Sequence, residues 1–160
     1  MGTTRSNSKP NKTAKGPNVT MLLAISGSNW IHCQAVASSV NSTRFIAFMN
    51  SIFEILGQDE NFTIVMDNVN FHYSRELPQS DKIPYRYLPA YSPFLNPCEE
   101  VFSHIKNNVR RNTAPTGRQD LIERMTFAAN QTNNINLSNY FSHSESFFEK
   151  CSRQENIGRD

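Results

Sequence analysis

The sequence lacks the features that mark membrane-spanning, secreted and zinc-stabilised proteins. No run approaches the roughly 18 apolar residues of a membrane-spanning helix, and residues 1–15 are polar and basic rather than a signal peptide. Cysteine is scarce, with three widely spaced copies and no Cys-x-x-Cys pair, and the four histidines do not fall at zinc-finger intervals. These absences argue against a disulfide framework, structural zinc and a membrane partner, and they favour a reduced intracellular compartment.

Acidic residues are absent from the start of the chain. Residues 1–15 carry Arg5, Lys9, Lys12 and Lys15, whereas the other 12 of the 16 basic residues and all 14 acidic residues follow. Such a run is either a solvated, disordered tail or an arm that contacts nucleic-acid phosphates. We predict a disordered basic arm over residues 1–15, one domain over residues 16–152 and a tail over residues 153–160.

The hydrophobic pattern of residues 16–152 changes between the period of strands and the period of helices. The first helix is expected to have Ser42 as its N-cap and to stop at Gly57, and residues 69–78 are compatible with a short helix containing His72. The predicted strands are 18–26, 30–37, 62–67 and 83–88, and the predicted helices are 43–57, 98–111, 117–133 and 137–152. This order predicts an α/β domain in which helices pack on a mixed sheet.

Two carboxylates occupy positions where an α/β domain can perform chemistry. Asp67 follows an apolar strand, where it is either a turn residue or an active-site residue. Glu99 opens a helix and is either the N3 partner of an Asn96 cap, with Pro97 at N1, or a metal ligand. Hard divalent cations prefer oxygen ligands, and two such ions can activate the attacking oxygen and stabilise the leaving one. The pair therefore suits a metal-dependent nuclease.

The loop between these carboxylates resembles the signature of Tc/mariner-type transposases. Residues 87–106 read YLPAYSPFLNPCEEVFSHIK, and the common family form is Leu-Pro-Pro-Tyr-Ser-Pro-Asp-Leu-Asn-Pro-Ile-Glu, followed by an aromatic residue and a lysine. Asp67, Asn68 and His72 resemble the preceding strand-Asp-Asn-x-x-x-His motif, in the right order and at a similar spacing. Weaker similarity extends from about residue 16 to residue 151.

The resemblance implies an RNase H-like fold and a DDE catalytic domain that cuts and rejoins DNA with two magnesium or manganese ions. Asp67 matches the second catalytic and metal-binding carboxylate, and Glu99 matches the third. The supporting polar and loop positions of the family match Asn68, His72, Tyr91, Ser92 and Asn96. The implied partner is transposon-end DNA rather than a small-molecule substrate, and that partner implies a nuclear location.

The first catalytic aspartate of the family has no counterpart in this sequence. Residues before Gly16 contain no acidic residue and no apolar run, and the family's N-terminal helix-turn-helix region also has no counterpart. Phe94, Cys98 and Phe102 replace a usual Asp, Ile and Trp. We therefore interpret the sequence as the C-terminal part of the catalytic domain, with the first strand missing and the two-metal site incomplete. Whether the chain is itself an enzyme stays open. The alternatives are a non-catalytic nucleic-acid-binding remnant and a structural or self-associating domain.

Helical phase, an unpaired sheet edge and charge give three further expectations. On the helix that carries Glu99, the apolar positions face the sheet, which puts Glu99 on the flank and directs Glu100 into water. A sheet edge left unpaired by a missing first strand would favour self-association. The side chains expected to contact DNA phosphates are Lys9, Lys12, Lys15, Lys106, Arg110 and Arg111.

Overall fold

The computed structural model describes residues 18–27, 29–57, 61–68, 76–111, 113–132, 135–155 and 157. The basic arm, the absent first strand and the candidate helix around His72 therefore fall outside the described residues and stay predictions. Within the described residues, no helix combines the length and the apolar character needed to span a membrane.

A β-hairpin opens the described part of the chain. β1 (Thr20–Ile25) pairs antiparallel with β2 (Trp30–Val36). The Ser26 N–H donates to the Asn29 carbonyl over 2.7 Å, and Ser26 Oγ accepts from the Asn29 N–H over 3.1 Å, so the polar turn closes on itself. The hairpin predicted from two apolar runs around a glycine-containing turn is confirmed.

Helix α1 (Ser42–Leu56) follows the hairpin and packs on one face of it. Its N-cap is Asn41, whose side-chain oxygen accepts from the backbone N–H three residues later over 3.0 Å. The predicted Ser42 cap is wrong by one residue, because both side chains can cap and the extended backbone that a cap requires occurs at Asn41. Gly57 ends the helix as predicted. Its φ of 67° is a conformation that glycine adopts without a Cβ penalty.

A parallel pair of short strands forms the second sheet. β3 (Ile64–Met66) pairs with β4 (Tyr85–Tyr87), and the ladder continues where the Leu88 N–H donates to the Met66 carbonyl over 2.9 Å. The α/β class with mixed strand directions is confirmed. Within the described residues, however, the strands form two sheets of two rather than one sheet, because no described strand joins the hairpin to the parallel pair.

The described chain after β4 is helical. A short 3-10 helix (Pro93–Leu95) leads into the helices α2 (Pro97–Arg110), α3 (Arg118–Thr132), α4 (Ser138–Glu145) and α5 (Phe148–Ser152). The prediction of one helix over residues 137–152 is wrong. The α-helical hydrogen-bond pattern ends at Ser146, whose N–H is shared between the carbonyls of Ser142 and His143. The Phe147 N–H then donates to the carbonyl three residues before it, as in a 3-10 turn.

The two faces of the hairpin are covered by different helices. Alternate side chains of β1 point to opposite sides, as the two-residue period of a strand requires. The face toward α1 carries Leu22, Ala24 and Ile31, and the face toward α2 and α3 carries Met21, Leu23, Ile25, Trp30 and Cys33. Met66 of β3 packs into the α1 core as well. One helix thereby holds both sheets together and fixes the position of the end of β3.

Candidate active site

Asp67 is held at the carboxyl end of β3 by a side chain from the start of α2. Asn96 Nδ2 donates to Asp67 Oδ1 over 2.8 Å. The same residue caps α2, because Asn96 Oδ1 accepts from the Cys98 N–H over 3.0 Å. The predicted cap at Asn96 with Pro97 in the first turn is confirmed. One amide side chain therefore connects the strand that carries the first candidate ligand to the helix that carries the second.

Glu99 lies in the first turn of α2, directly after the Asn96 cap. The junction of the end of β3 with the start of α2 is called the corner below. The Glu99 side chain is exposed, and its backbone N–H donates to the Asn96 carbonyl over 3.0 Å. Burial, followed by the negative charges of Asp67 and Glu99, raises the pKa of the Cys98 thiol to about 12. Both carboxylates thus act on one thiol. The two predicted metal ligands therefore lie on the strand end and the helix start that Asn96 joins.

A groove of about 370 Å³ opens beside Asp67. It is lined by Asp67, Asn68 and residues 89–93 of the loop that connects β4 to the 3-10 helix. Asn68, Tyr91 and Ser92, three of the predicted supporting residues, thus share a concave surface with the carboxylate. Among the two candidate ligands, the lining of the groove includes Asp67 and not Glu99, so the groove opens on the β3 side of the site.

Tyr91 has an unusual conformation at the rim of this groove. Its φ is 59°, in the left-handed region that residues with a Cβ seldom adopt, and its side chain is 99% exposed. The loop around it is fixed, because Ser92 Oγ donates to the Ala90 carbonyl over 3.3 Å and the Leu95 N–H donates to the Ser92 carbonyl over 3.1 Å. The backbone of the loop is therefore ordered, and the Tyr91 ring projects from it into solvent.

Glu100 does not point freely into water, contrary to the expectation from helical phase. Its carboxylate forms an ion pair with His143 of α4, and its side chain is 38% exposed. Burial, followed by the charge of Glu100, raises the pKa of the neighbouring Tyr140. The apolar spacing of α2 identifies the side that meets the sheet, but it could not show that α4 covers a second side. Glu99 lies outside this contact.

Basic side chains continue the exposed side of α2 that Glu99 begins. With about 100° and 1.5 Å per helical residue, Glu99, Lys106 and Arg110 lie within about 60° of one another, and Arg110 is about 16 Å from Glu99 along the axis. Lys106, Arg110 and the following Arg111 are all exposed. Lys9, Lys12 and Lys15 lie outside the described residues. The helix therefore carries a carboxylate at its beginning and cations at its end on one side.

The donor set of the corner fits a single hard cation. Asp67 and Glu99 supply the carboxylate oxygens that Mg²⁺ and Mn²⁺ prefer, and Mg²⁺ usually keeps several water ligands beside one or two carboxylates. In the described part of the chain, no group of three or more His, Cys, Asp or Glu side chains could hold a metal ion. A second ion would therefore need further anionic ligands.

Comparison with known proteins identifies the family. Residues 2–122 match the family described as DDE superfamily endonuclease, which is more than half of the chain. The chain belongs to this family. The matched region contains both candidate ligands, Asn96 and the groove, and members of the superfamily generally use divalent metal ions.

The chain is also similar to a curated protein of an insertion element. It is the insertion element IS630 uncharacterized 39 kDa protein of Shigella sonnei, which is 25% identical over 104 residues. The alignment covers 62% of this chain and 30% of the relative. The chain thus spans less than a third of the relative's length.

Two contacts of the site were not anticipated from the sequence. The spacing identified Asn96 as a cap but gave no sign of its bond to Asp67, which lies 29 residues earlier. Nothing in the sequence connected His143 to Glu100 across 43 residues. The sequence shows only that all four side chains can form hydrogen bonds, and this is true of many residues in the chain.

Proposed function

We propose that this chain supplies the DNA-cleaving and DNA-joining chemistry of a Tc/mariner-type transposase, with Asp67 and Glu99 as the carboxylates that hold Mg²⁺ or Mn²⁺. The observation that carries the proposal is the bond from Asn96 to Asp67, which fixes the strand end against the helix start that presents Glu99. A DNA-cleaving site on this family's fold further suggests that the protein acts in the nucleus.

Each residue of the corner has a role in this proposal. Asn96 orients the Asp67 carboxylate, and Glu99 faces solvent, where it can reach a metal beside a DNA phosphate. The bound ion would supply activation of the attacking oxygen and stabilisation of the leaving one. Lys106, Arg110 and Arg111 neutralise phosphates of the DNA further along α2, which positions the backbone without reading its sequence.

The alternative is a non-catalytic protein that binds nucleic acid. The observation that favours it is that, in the described residues, no group of three or more His, Cys, Asp or Glu side chains could hold a metal ion. Fewer anionic ligands weaken both the affinity for the ions and the control of their geometry. In that case the charged side of α2 would bind DNA and the corner would cut nothing.

Metal binding and DNA nicking test the proposal together. Manganese affinity is measured by calorimetry for the native chain and for Asp67→Asn, Glu99→Gln and Glu100→Gln, and the same proteins are incubated with supercoiled plasmid and Mn²⁺. We expect Asp67→Asn and Glu99→Gln to lose most of the affinity and the nicking. Glu100→Gln is the matched control and should keep both, because Glu100 is engaged with His143. Loss of manganese in Glu100→Gln alone would show that the wrong carboxylate was assigned.

Salt dependence of DNA binding tests the DNA surface on α2 that both candidate functions share. If no variant or native chain nicks plasmid, the non-catalytic alternative still predicts that the logarithm of the affinity falls linearly with the logarithm of salt concentration. Replacing Lys106, Arg110 and Arg111 together by Gln should reduce that slope by up to about 3, or about one for each phosphate contact. Lys150→Gln, on α5, is the control. A slope equal to that of the native chain would exclude α2 as the DNA surface.

A further inference from the structure

We propose that Tyr91 is a stacking platform for an unpaired nucleobase of the DNA that enters the Asp67 groove. The inference rests on the proposed function, because it takes nucleic acid as the ligand of the same site. It adds a binding residue and a form of substrate, namely a strand with at least one base out of the helical stack.

The exposure of the Tyr91 ring is the first observation. The ring is 99% exposed, compared with 66% for Phe127 and 53% for Phe148, which are the other strongly exposed aromatic side chains of the described chain. Aromatic rings contribute most to stability when they are buried, so a ring kept wholly in water contributes little to the fold. A partner that covers the ring would explain its position.

The backbone at Tyr91 is the second observation. The φ of Tyr91 is 59°, a conformation that is unfavourable for any residue with a Cβ. Non-glycine residues in such conformations concentrate at ligand-binding sites. The loop is anchored on one side by the bond from the Leu88 N–H to the Met66 carbonyl and on the other by the 3-10 helix. A loop backbone ordered before binding loses little conformational freedom when the ring stacks on a ligand.

The surroundings of the ring favour a nucleobase over other flat ligands. Tyr91 shares with Asp67 a groove of about 370 Å³, near the lower end of the roughly 300–1,000 Å³ of small-ligand sites. Stacking on an aromatic side chain tolerates any base, because every base has a π face, whereas a base inside a duplex must first leave the stack. Lys106 and Arg110, exposed on the helix that starts beside the groove, suit a polyanionic ligand.

Affinity for a single strand tests the inference. A fluorescein-labelled oligothymidylate is titrated with the full chain in EDTA, and binding is followed by anisotropy. Tyr91→Asn removes the ring while keeping a residue that tolerates the left-handed conformation, and it should weaken binding about 5- to 100-fold, the range for loss of one stack. Tyr91→Phe keeps the ring and should bind as the native chain does. Phe148→Ala is the exposed-aromatic control and should also leave binding unchanged.

The outcomes separate this inference from the proposed function. Native-like single-strand affinity in Tyr91→Asn overturns the stacking role, even if the native chain nicks plasmid; that result would favour a protein partner for the ring. A loss confined to Tyr91→Asn supports stacking, even if no nicking is found, since EDTA removes the metal from the binding assay. Thermal unfolding of Tyr91→Asn should match the native chain, and a smaller loss on duplex of equal length is expected. An equal loss on duplex would overturn recognition of an unpaired base.

Discussion

At the scale of single residues, Asn96 has more consequences than any other side chain of the site. Its amide nitrogen donates to Asp67 over 2.8 Å, while its carbonyl oxygen accepts from the Cys98 N–H over 3.0 Å. The two ends of one planar group are thus used for different purposes. The helix cap contributes to stability on its own, and the bond to a carboxylate adds a charge-assisted interaction that also orients a candidate ligand.

We expect Asn96→Ala to destabilise the protein more than the loss of a cap alone. The matched control is Asn41→Ala, because Asn41 caps α1 by the same type of bond and has no carboxylate partner among its described contacts. The control should cost about 1 kcal/mol of unfolding free energy, and Asn96→Ala about 2–3 kcal/mol. Urea denaturation measures both, and equal losses would contradict the double role. Asn96→Ser, which can still cap, should fall between them.

At the scale of elements, the turn between α4 and α5 packs against the 3-10 helix that precedes α2. Phe147 occupies the break between the two helices, and its ring lies 5.3 Å from that of Phe94 and 5.1 Å from that of His143, centroid to centroid. His143 in turn pairs with Glu100 on α2. The interruption of the predicted helix therefore has a packing reason, since a turn at Phe147 lets its ring reach the 3-10 helix beside the candidate site.

Substitution of two adjacent phenylalanines tests whether the packing of this turn stabilises the fold. Phe147→Ala should destabilise the protein by about 2 kcal/mol, because it removes an aromatic pair and leaves a cavity between the α4–α5 turn and the 3-10 helix. Phe148→Ala should change the unfolding free energy by less than about 0.5 kcal/mol, since Phe148 is 53% exposed. Thermal unfolding of the two variants decides the matter. Equal effects would mean that the Phe147 contacts contribute nothing to the fold.

At the scale of the whole molecule, two hydrophobic cores lie on opposite faces of the hairpin, and the partly buried Cys33 packs against the one that α2 and α3 cover. Burial raises the pKa of Cys33 on β2 to about 11, and burial together with the charges of Asp67 and Glu99 raises that of Cys98 to about 12, both from an ordinary value of 9.0. Burial also raises the pKa of Tyr85 to about 12. These groups keep their protons in the folded chain at pH values where the unfolded chain has released them.

This difference predicts a loss of stability in alkali. Above about pH 9 the unfolded state binds fewer protons at both thiols than the native state, so the unfolding free energy falls as pH rises. The contribution is complete below pH 9 and is lost as the pH rises through the folded values near 11 and 12. Urea denaturation between pH 7 and 11 should show this fall, and Cys98→Ala should make it shallower. An unfolding free energy that stays flat to pH 11 would contradict the burial of these thiols.

The sequence by itself determined the local structure and the family. The strands around residues 20–36, the stop at Gly57 and the Asn96–Pro97 start of α2 follow from hydrophobic period, glycine conformation and capping, which act over a few neighbouring residues. The motif around Asp67 and Glu99 identified the DDE endonuclease family for the same reason, because it is continuous in the chain.

Only the tertiary structure decided which of these local features meet. The bond from Asn96 to Asp67, the pairing of Glu100 with His143 and the break at Phe147 depend on contacts between elements 29 to 53 residues apart. Within the described residues, the division of the strands into two sheets is likewise set by which edges pair. Periodicity reports the side of an element that prefers burial, whereas the partner on that side is selected by the packing of the whole chain.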